Sequence, residues 1–240
     1  VLGGGLGAGG GRRQLSSEAP HPWLAVAPSA PPTLQPHERV LTFLAANTGA
    51  GNLHGVATDW SHLSKDKHAD GMEVVLQTHL FAGFPRTINA LATIHQIGVD
   101  SSATAATDWK EERWDPEGWQ KSGAEACALI YGSAYPKLRE RMEVLHPLLN
   151  TMMIEHGYGR VLSRTSLPLR IRELCVLAVL AGQSVAPQLT SHMRGAIKCG
   201  ATPEEVKAVI SQTHLAWGKE AQEVADAVHE GCVRGSKAAL

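Results

Sequence analysis

The sequence predicts an all-α protein, and three observations carry that prediction. Apolar residues recur at helical spacing, no stretch shows the sustained alternation of a half-buried strand, and one segment is written twice. The tetrad Gln-Thr-His-Leu stands at residues 77–80 and again at 212–215. Sliding the chain by the 135 positions that separate Gln77 from Gln212 puts Glu38 on Glu173, Ala46 on Ala181, Gly83 on Gly218 and Ala90 on Ala225 without a gap. Apolar positions follow the same offset, Leu41 with Val176 and Val75 with Ile210. A constant offset of this kind marks a duplicated unit.

The elements follow in order. Residues 1–35 form an arm that is Gly-rich and then Pro-rich, with no acidic residue before Glu18 and with Arg12, Arg13 and a Ser pair. That is a transit-peptide composition, which implies a mitochondrial address; the bland alternative is a flexible linker or the tail of a truncated domain. The prolines of "APHPWLAVAPSAPPTLQP" rule out regular helix or strand, so the packed domain begins near Gln35. Residues 36–98 form the first repeat. Residues 99–121 read as a linker in which Trp109, Trp114 and Trp119 recur every fifth position, a period of neither helix nor strand, and the rings are expected to pin the linker onto apolar surface. The second repeat, 122–240, opens with two helices, the longer of them expected to kink at Pro147. "LPLRIRELCVLAVLAG" is apolar all round beyond Arg172, as a buried helix is, and ends at Gly182. A second helix closes at Gly200. A third, running to Trp217, opens on a capping box with Thr202 as N-cap, Pro203 at the first helical position and Glu205 reaching back; Val206, Val209, Ile210, Thr213 and Trp217 form its buried stripe.

The composition is 43% hydrophobic and 19% charged, with a net charge of -1. Such a balance gives no electrostatic reason for a nucleic-acid or membrane-surface partner. The longest apolar run, 174–181, is too short to span a bilayer. The four cysteines (Cys127, Cys175, Cys199, Cys232) are scattered and read as reduced core thiols. His62, His68 and His79 match no zinc spacing, so no metal is expected, and these three read as surface or cap residues.

Residues 123–218 carry "IYG", "LHPLLNTMMIEHGYGRVLSRTSLPLRIREL", the His192-to-Ala196 segment "HMRGA", "GATPEEV" and "QTHLAWG". In this order they resemble the carboxymuconolactone decarboxylase family, within the all-α AhpD-like superfamily that also holds alkylhydroperoxidases. "QTHLFAGFPRTINAL" in the first repeat looks like the end of the same unit. The resemblance implies a site built on Glu173 and His192, at the spacing typical of the superfamily. It also implies rings of helical units, so three two-copy chains would close a homotrimer. The departures restrict the chemistry. Peroxidase relatives carry a C-x-x-C where Val185 and Gln188 stand here, so thiol peroxidase chemistry by that route is excluded. Decarboxylase relatives often have Glu at the position of Gln188. The first repeat has Ala57 where the second has His192, with His54 one turn away as a possible substitute.

Decarboxylating or isomerising a small cyclic carboxylate or lactone needs no cofactor when the substrate itself delocalises the carbanion as an enolate. The protein must then anchor a carboxylate, stabilise the enolate oxygen and return a proton. His192 is the expected proton carrier, Glu173 orients it, and Gln188 donates to the enolate. Arg172 or Arg170 grips the carboxylate, with His214 nearby. The bland reading pairs Glu173, the arginines and His192 as a polar network between helices, and has His79 and His214 satisfying core hydrogen bonds. Two functions therefore stand side by side: a cofactor-independent decarboxylase or isomerase, and a non-catalytic subunit of a larger mitochondrial complex that keeps the fold without the chemistry.

Overall fold

The computed structural model describes residues 34–99 and 114–237. The transit-like composition of the arm therefore lies outside the described residues, as does Trp109. All regular structure within them is helical, with no strand. Helices α1 (Pro36–Ala50), α2 (Leu53–His62), α3 (His68–Ala82) and α4 (Phe84–Ile97) come first. Next are α5 (Pro116–Tyr131), α6 (Tyr135–Leu145), α7 (Pro147–Met152) and a π-helix (Met153–Leu162). The chain closes with α8 (Leu169–Gly182), α9 (Ala186–Lys198), α10 (Pro203–Ile210), α11 (Thr213–Trp217) and α12 (Lys219–Lys237).

Local chemistry sets the ends. Gln35 and Glu38 form a capping box at the start of α1, Asp115 caps α5, and Thr202 with Glu205 forms the expected box at α10. Gly83 and Gly218, which match at the 135-residue offset, adopt φ of 83° and 86°. Each turns one helix sharply into the next, through a conformation that costs only glycine nothing.

Helix α1 packs on α2, α3 and α4, as α8 packs on α9, α10, α11 and α12. The two central helices also lie against each other, α3 reaches α8, and α11 reaches α1. One apolar cluster runs through both units, from Leu41 and Leu44 of α1 to Leu174 and Leu177 of α8. A second, smaller cluster joins α5 to the π-helix through Cys127, Ile130, Ile154, Tyr158 and Leu162.

Several expectations need correction. The helix expected over 203–217 breaks at Ser211–Gln212. The Ser211 hydroxyl bonds the Ala208 carbonyl, and Gln212 N–H bonds Val209 three residues back, which tightens and ends the turn. Pro147 starts α7 rather than kinking a longer helix. His146 before it is extended (φ −169°, ψ 113°), the conformation that a following proline imposes. The expected linker is helical from Pro116, and of its described rings Trp114 is not pinned as expected: it is 80% exposed and meets the half-buried Trp119 edge-on at 5.1 Å. The Arg160 guanidinium lies 5.0 Å from the Trp119 ring. His68 and His79 are buried rather than superficial, and His68 stacks on Trp60 at 4.3 Å.

Candidate functional site

The first turn of α8 carries Arg170, Arg172 and Glu173. With about 100° between successive residues of a helix, the three side chains leave α8 in different directions and meet different elements. Arg170 binds Glu38 of α1 and Glu205 of α10. Arg172 is fully buried; its Nη2 donates to Glu73 Oε2 at 2.8 Å, its Nη1 to Gln77 Oε1 at 3.1 Å and its Nε to the Arg164 carbonyl at 3.2 Å. Arg164 forks onto the same Glu73 carboxylate at 2.9–3.1 Å. The arginines expected to grip a substrate thus hold the bundle together, because each guanidinium already meets buried acceptors of neighbouring helices.

Glu173 alone of the three turns toward α9. His192 Nδ1 donates to Glu173 Oε2 at 2.9 Å, with Glu173 fully buried and His192 4% exposed. Glu173 fits there because position 195, one turn beyond His192, is glycine. A Cβ at Gly195 would stand 2.8 Å from Glu173 Oε2 and 2.6 Å from Ile130 Cγ2. The other carboxylate oxygen, Oε1, is buried without a hydrogen-bond partner. An unsatisfied buried acceptor is uncommon and asks for a reason.

Aromatic and sulfur groups from the second cluster surround the pair. The Phe81 ring of α3 meets His192 edge-on at 5.7 Å, and Tyr131 of α5 does so at 6.2 Å. The hydroxyl of Tyr158, on the π-helix, lies 3.4 Å from the Tyr131 hydroxyl. π-helical turns are rare and frequently mark functional sites. Burial pushes both phenols up, Tyr158 strongly. It also raises the Cys127 and Cys199 thiols to about 12, with the nearby Glu173 charge adding to the effect. Thiols held that high are neutral and poorly nucleophilic.

The structure thus unites Glu173 and His192 and leaves the other sequence-derived candidates elsewhere. Gln188 is exposed one turn before His192 on α9. His214 is half-buried, with its ring nitrogen 3.4 Å from Gln222 Oε1. In the first unit Glu38, the counterpart of Glu173, faces Arg170 instead of a histidine, and His54 is exposed. Phe81, Tyr131 and Tyr158 went unnoticed in the sequence as site residues, since only the packing of α3, α5 and the π-helix brings them to α9; Gly195 went unnoticed because only the docking of α8 and α5 on α9 leaves no room for a side chain there. A cleft of about 480 Å³ between α5 and the 162–169 loop, lined by Ser122, Glu125, Leu129 and Arg164 among others, does not include the pair. Among the described residues no group of three or more His, Cys, Asp or Glu is placed to hold a metal ion, and no helix is long and apolar enough to cross a membrane.

Comparison with known proteins gives a family and two relatives. Residues 147–230, which include Glu173 and His192, match the carboxymuconolactone decarboxylase family. The chain is 28% identical over 174 residues to Peroxisomal protein 2 of Schizosaccharomyces pombe, covering 70% of this chain and 78% of that one. It is 25% identical over 160 residues to Peroxisomal protein 2 of Saccharomyces cerevisiae, covering 57% of this chain and 56% of that relative, about half its length. Both relatives carry peroxisomal names, and these overturn the mitochondrial address read from the arm. Arginine without acid is a composition shared by targeting peptides and plain linkers, so it could not discriminate.

Proposed function

Residues 147–230 belong to the carboxymuconolactone decarboxylase family, and we propose that this chain is a cofactor-independent proton-transfer enzyme. Its reaction is decarboxylation or isomerisation of a small cyclic carboxylate or lactone. The observation that carries the reading is the sealed Glu173–His192 pair with one carboxylate oxygen left unpartnered. Glu173 accepts Nδ1–H and fixes the tautomer, so Nε2 of His192 is the atom that takes and returns a proton. A dry, largely apolar surround strengthens every electrostatic term at the reacting carbon. The relatives' names support a peroxisomal setting, which a fluorescent fusion co-imaged with a peroxisomal marker would check.

The test is exchange chemistry. A panel of small unsaturated cyclic acids and lactones is incubated with the protein in D2O and followed by proton NMR. Catalysed exchange or product formation is expected, and His192→Ala and Glu173→Gln should slow it by about 10²–10⁴-fold while leaving the fold intact. A wild-type protein that exchanges nothing above the buffer rate, or a His192→Ala variant that matches it, rejects the reading.

A second reading, a non-catalytic subunit, draws on an apolar surface. Val144, Leu145, Leu148, Leu149 and Met152 of α6 and α7 are between 49% and 87% exposed, and clustered exposed apolar residues mark contact sites. If this segment instead joins copies of a chain that stands alone, light scattering should show a homotrimer of three 25.6 kDa chains; a scaffold subunit, isolated from its partners, is expected to be monomeric or poorly soluble. Leu145→Glu combined with Leu149→Glu should reduce the trimer to monomer, and a wild-type monomer would exclude self-association.

A further inference from the structure

An enolate needs a donor at its oxygen, and the residue that the sequence offers, Gln188, is exposed. The buried surround of His192 offers another. From this geometry we infer that Tyr131, backed by Tyr158, is the oxyanion donor of the site, so that the substrates are compounds whose carbonyl becomes an enolate during turnover. This rests on the proton-transfer reading above and assigns that site a further catalytic residue.

Three observations carry it. First, the Tyr131 ring stands edge-to-face with His192, centroids 6.2 Å apart and planes at 73°, which puts a phenol beside the imidazole that moves the proton. Second, the Tyr158 and Tyr131 hydroxyls lie 3.4 Å apart. In the arrangement where Tyr158 donates, Tyr131 keeps its own proton to give, and a hydrogen-bond chain of this kind strengthens its terminal donor. Third, Glu173 Oε1, on the residue that holds His192, is buried without a partner, as expected where a bound molecule completes the polar contacts. Burial also holds both phenols protonated, the form an oxyanion donor requires.

The step balances on these residues alone. His192 Nε2 takes the proton from the carbon beside the carbonyl. The C–H electron pair becomes the C=C bond, and the carbonyl π pair moves onto oxygen as O⁻, which Tyr131 O–H hydrogen-bonds without transferring its proton. His192 then returns the proton to the conjugated carbon, restoring the carbonyl. In decarboxylation the C–CO2⁻ pair supplies the same electrons, and an already protonated His192 delivers the proton.

The probe is 4-nitrophenol, whose phenolate oxygen copies an enolate and whose absorbance reports its own ionisation. Titrated into the full chain near neutral pH, it should bind with its spectrum shifted toward the phenolate. Tyr131→Phe, which removes only a hydroxyl, should weaken binding about 10-fold or more, as expected for a lost hydrogen bond to a charged group, and should reduce the phenolate fraction of bound probe. Tyr158→Phe should do both to a smaller degree. A purely structural role for Tyr131 would leave the ionisation of the bound probe unchanged. Tyr131→Phe that binds and ionises the probe like wild type overturns the inference. If His192→Ala alone alters binding, the inference fails and the proton-transfer reading survives; if the wild type binds no probe, or no variant matters, both fall.

Discussion

Replacing Glu73 by alanine is expected to cost about 3–5 kcal/mol of stability, the range found when one partner of a buried ion pair is removed. Glu73 is 1% exposed and takes hydrogen bonds from Arg164 and Arg172, and the Arg172 side chain is itself fully buried. Without Glu73 that guanidinium keeps only Gln77, Ser166 and a backbone carbonyl, none of them charged. Urea unfolding followed by circular dichroism measures the loss, and a value under about 1 kcal/mol would show that the network tolerates the missing charge. The same residue makes the fold acid-sensitive. Burial pushes its carboxyl up, but hydrogen bonds from Arg164 and Arg172, and their charges, outweigh this and hold it below the ordinary glutamate value. A folded value lower than the unfolded one means that the contribution is fully present above the unfolded value of about 4.3 and is lost as pH falls through the folded value. Wild-type protein should therefore lose stability across that window more steeply than Glu73→Gln, whose side chain does not titrate.

Gly159→Ala is expected to destabilise by about 3 kcal/mol or more, the upper end of overpacking. Helix α5 and the π-helix approach so closely that a Cβ on Gly159 would stand 2.0 Å from the Trp119 carbonyl oxygen and 3.0 Å from that of Ile154. From the facing helix, a Cβ on Gly123 would stand 2.1 Å from the same Ile154 oxygen. These neighbours are backbone, so no flexible side chain can give way. Gly157, in the same π-helix, has nothing within 4 Å of its Cβ position, and Gly157→Ala should be nearly neutral or mildly stabilising. Equal midpoints for the two alanine variants in urea would contradict the close approach. Because this interface carries Tyr158 and positions Tyr131, Gly159→Ala should also disturb the surround of His192.

Fold class and helix signals were written locally. The Thr202–Glu205 box, the all-apolar α8 and the repeat of QTHL with its flanking glycines depend only on neighbouring residues and on a period, so each could be read along the chain. The Glu173–His192 pair was legible for a related reason: its spacing of 19 places the two residues on consecutive helices of one unit, and the family resemblance singled that spacing out. Nothing local distinguishes Arg172, which is locked onto Glu73, from a substrate-gripping arginine. Its partners lie in another unit, 95 to 99 positions away for Gln77 and Glu73. The phenols and Phe81 escaped for the same reason, as did the exposure of Gln188. Local sequence carries propensity, capping and periodicity, which act over a turn or two. Which charges neutralise one another, and which rings enclose the histidine, is decided by the docking of α3, α5 and the π-helix on α8 and α9, and that follows from burying apolar surface across the whole chain.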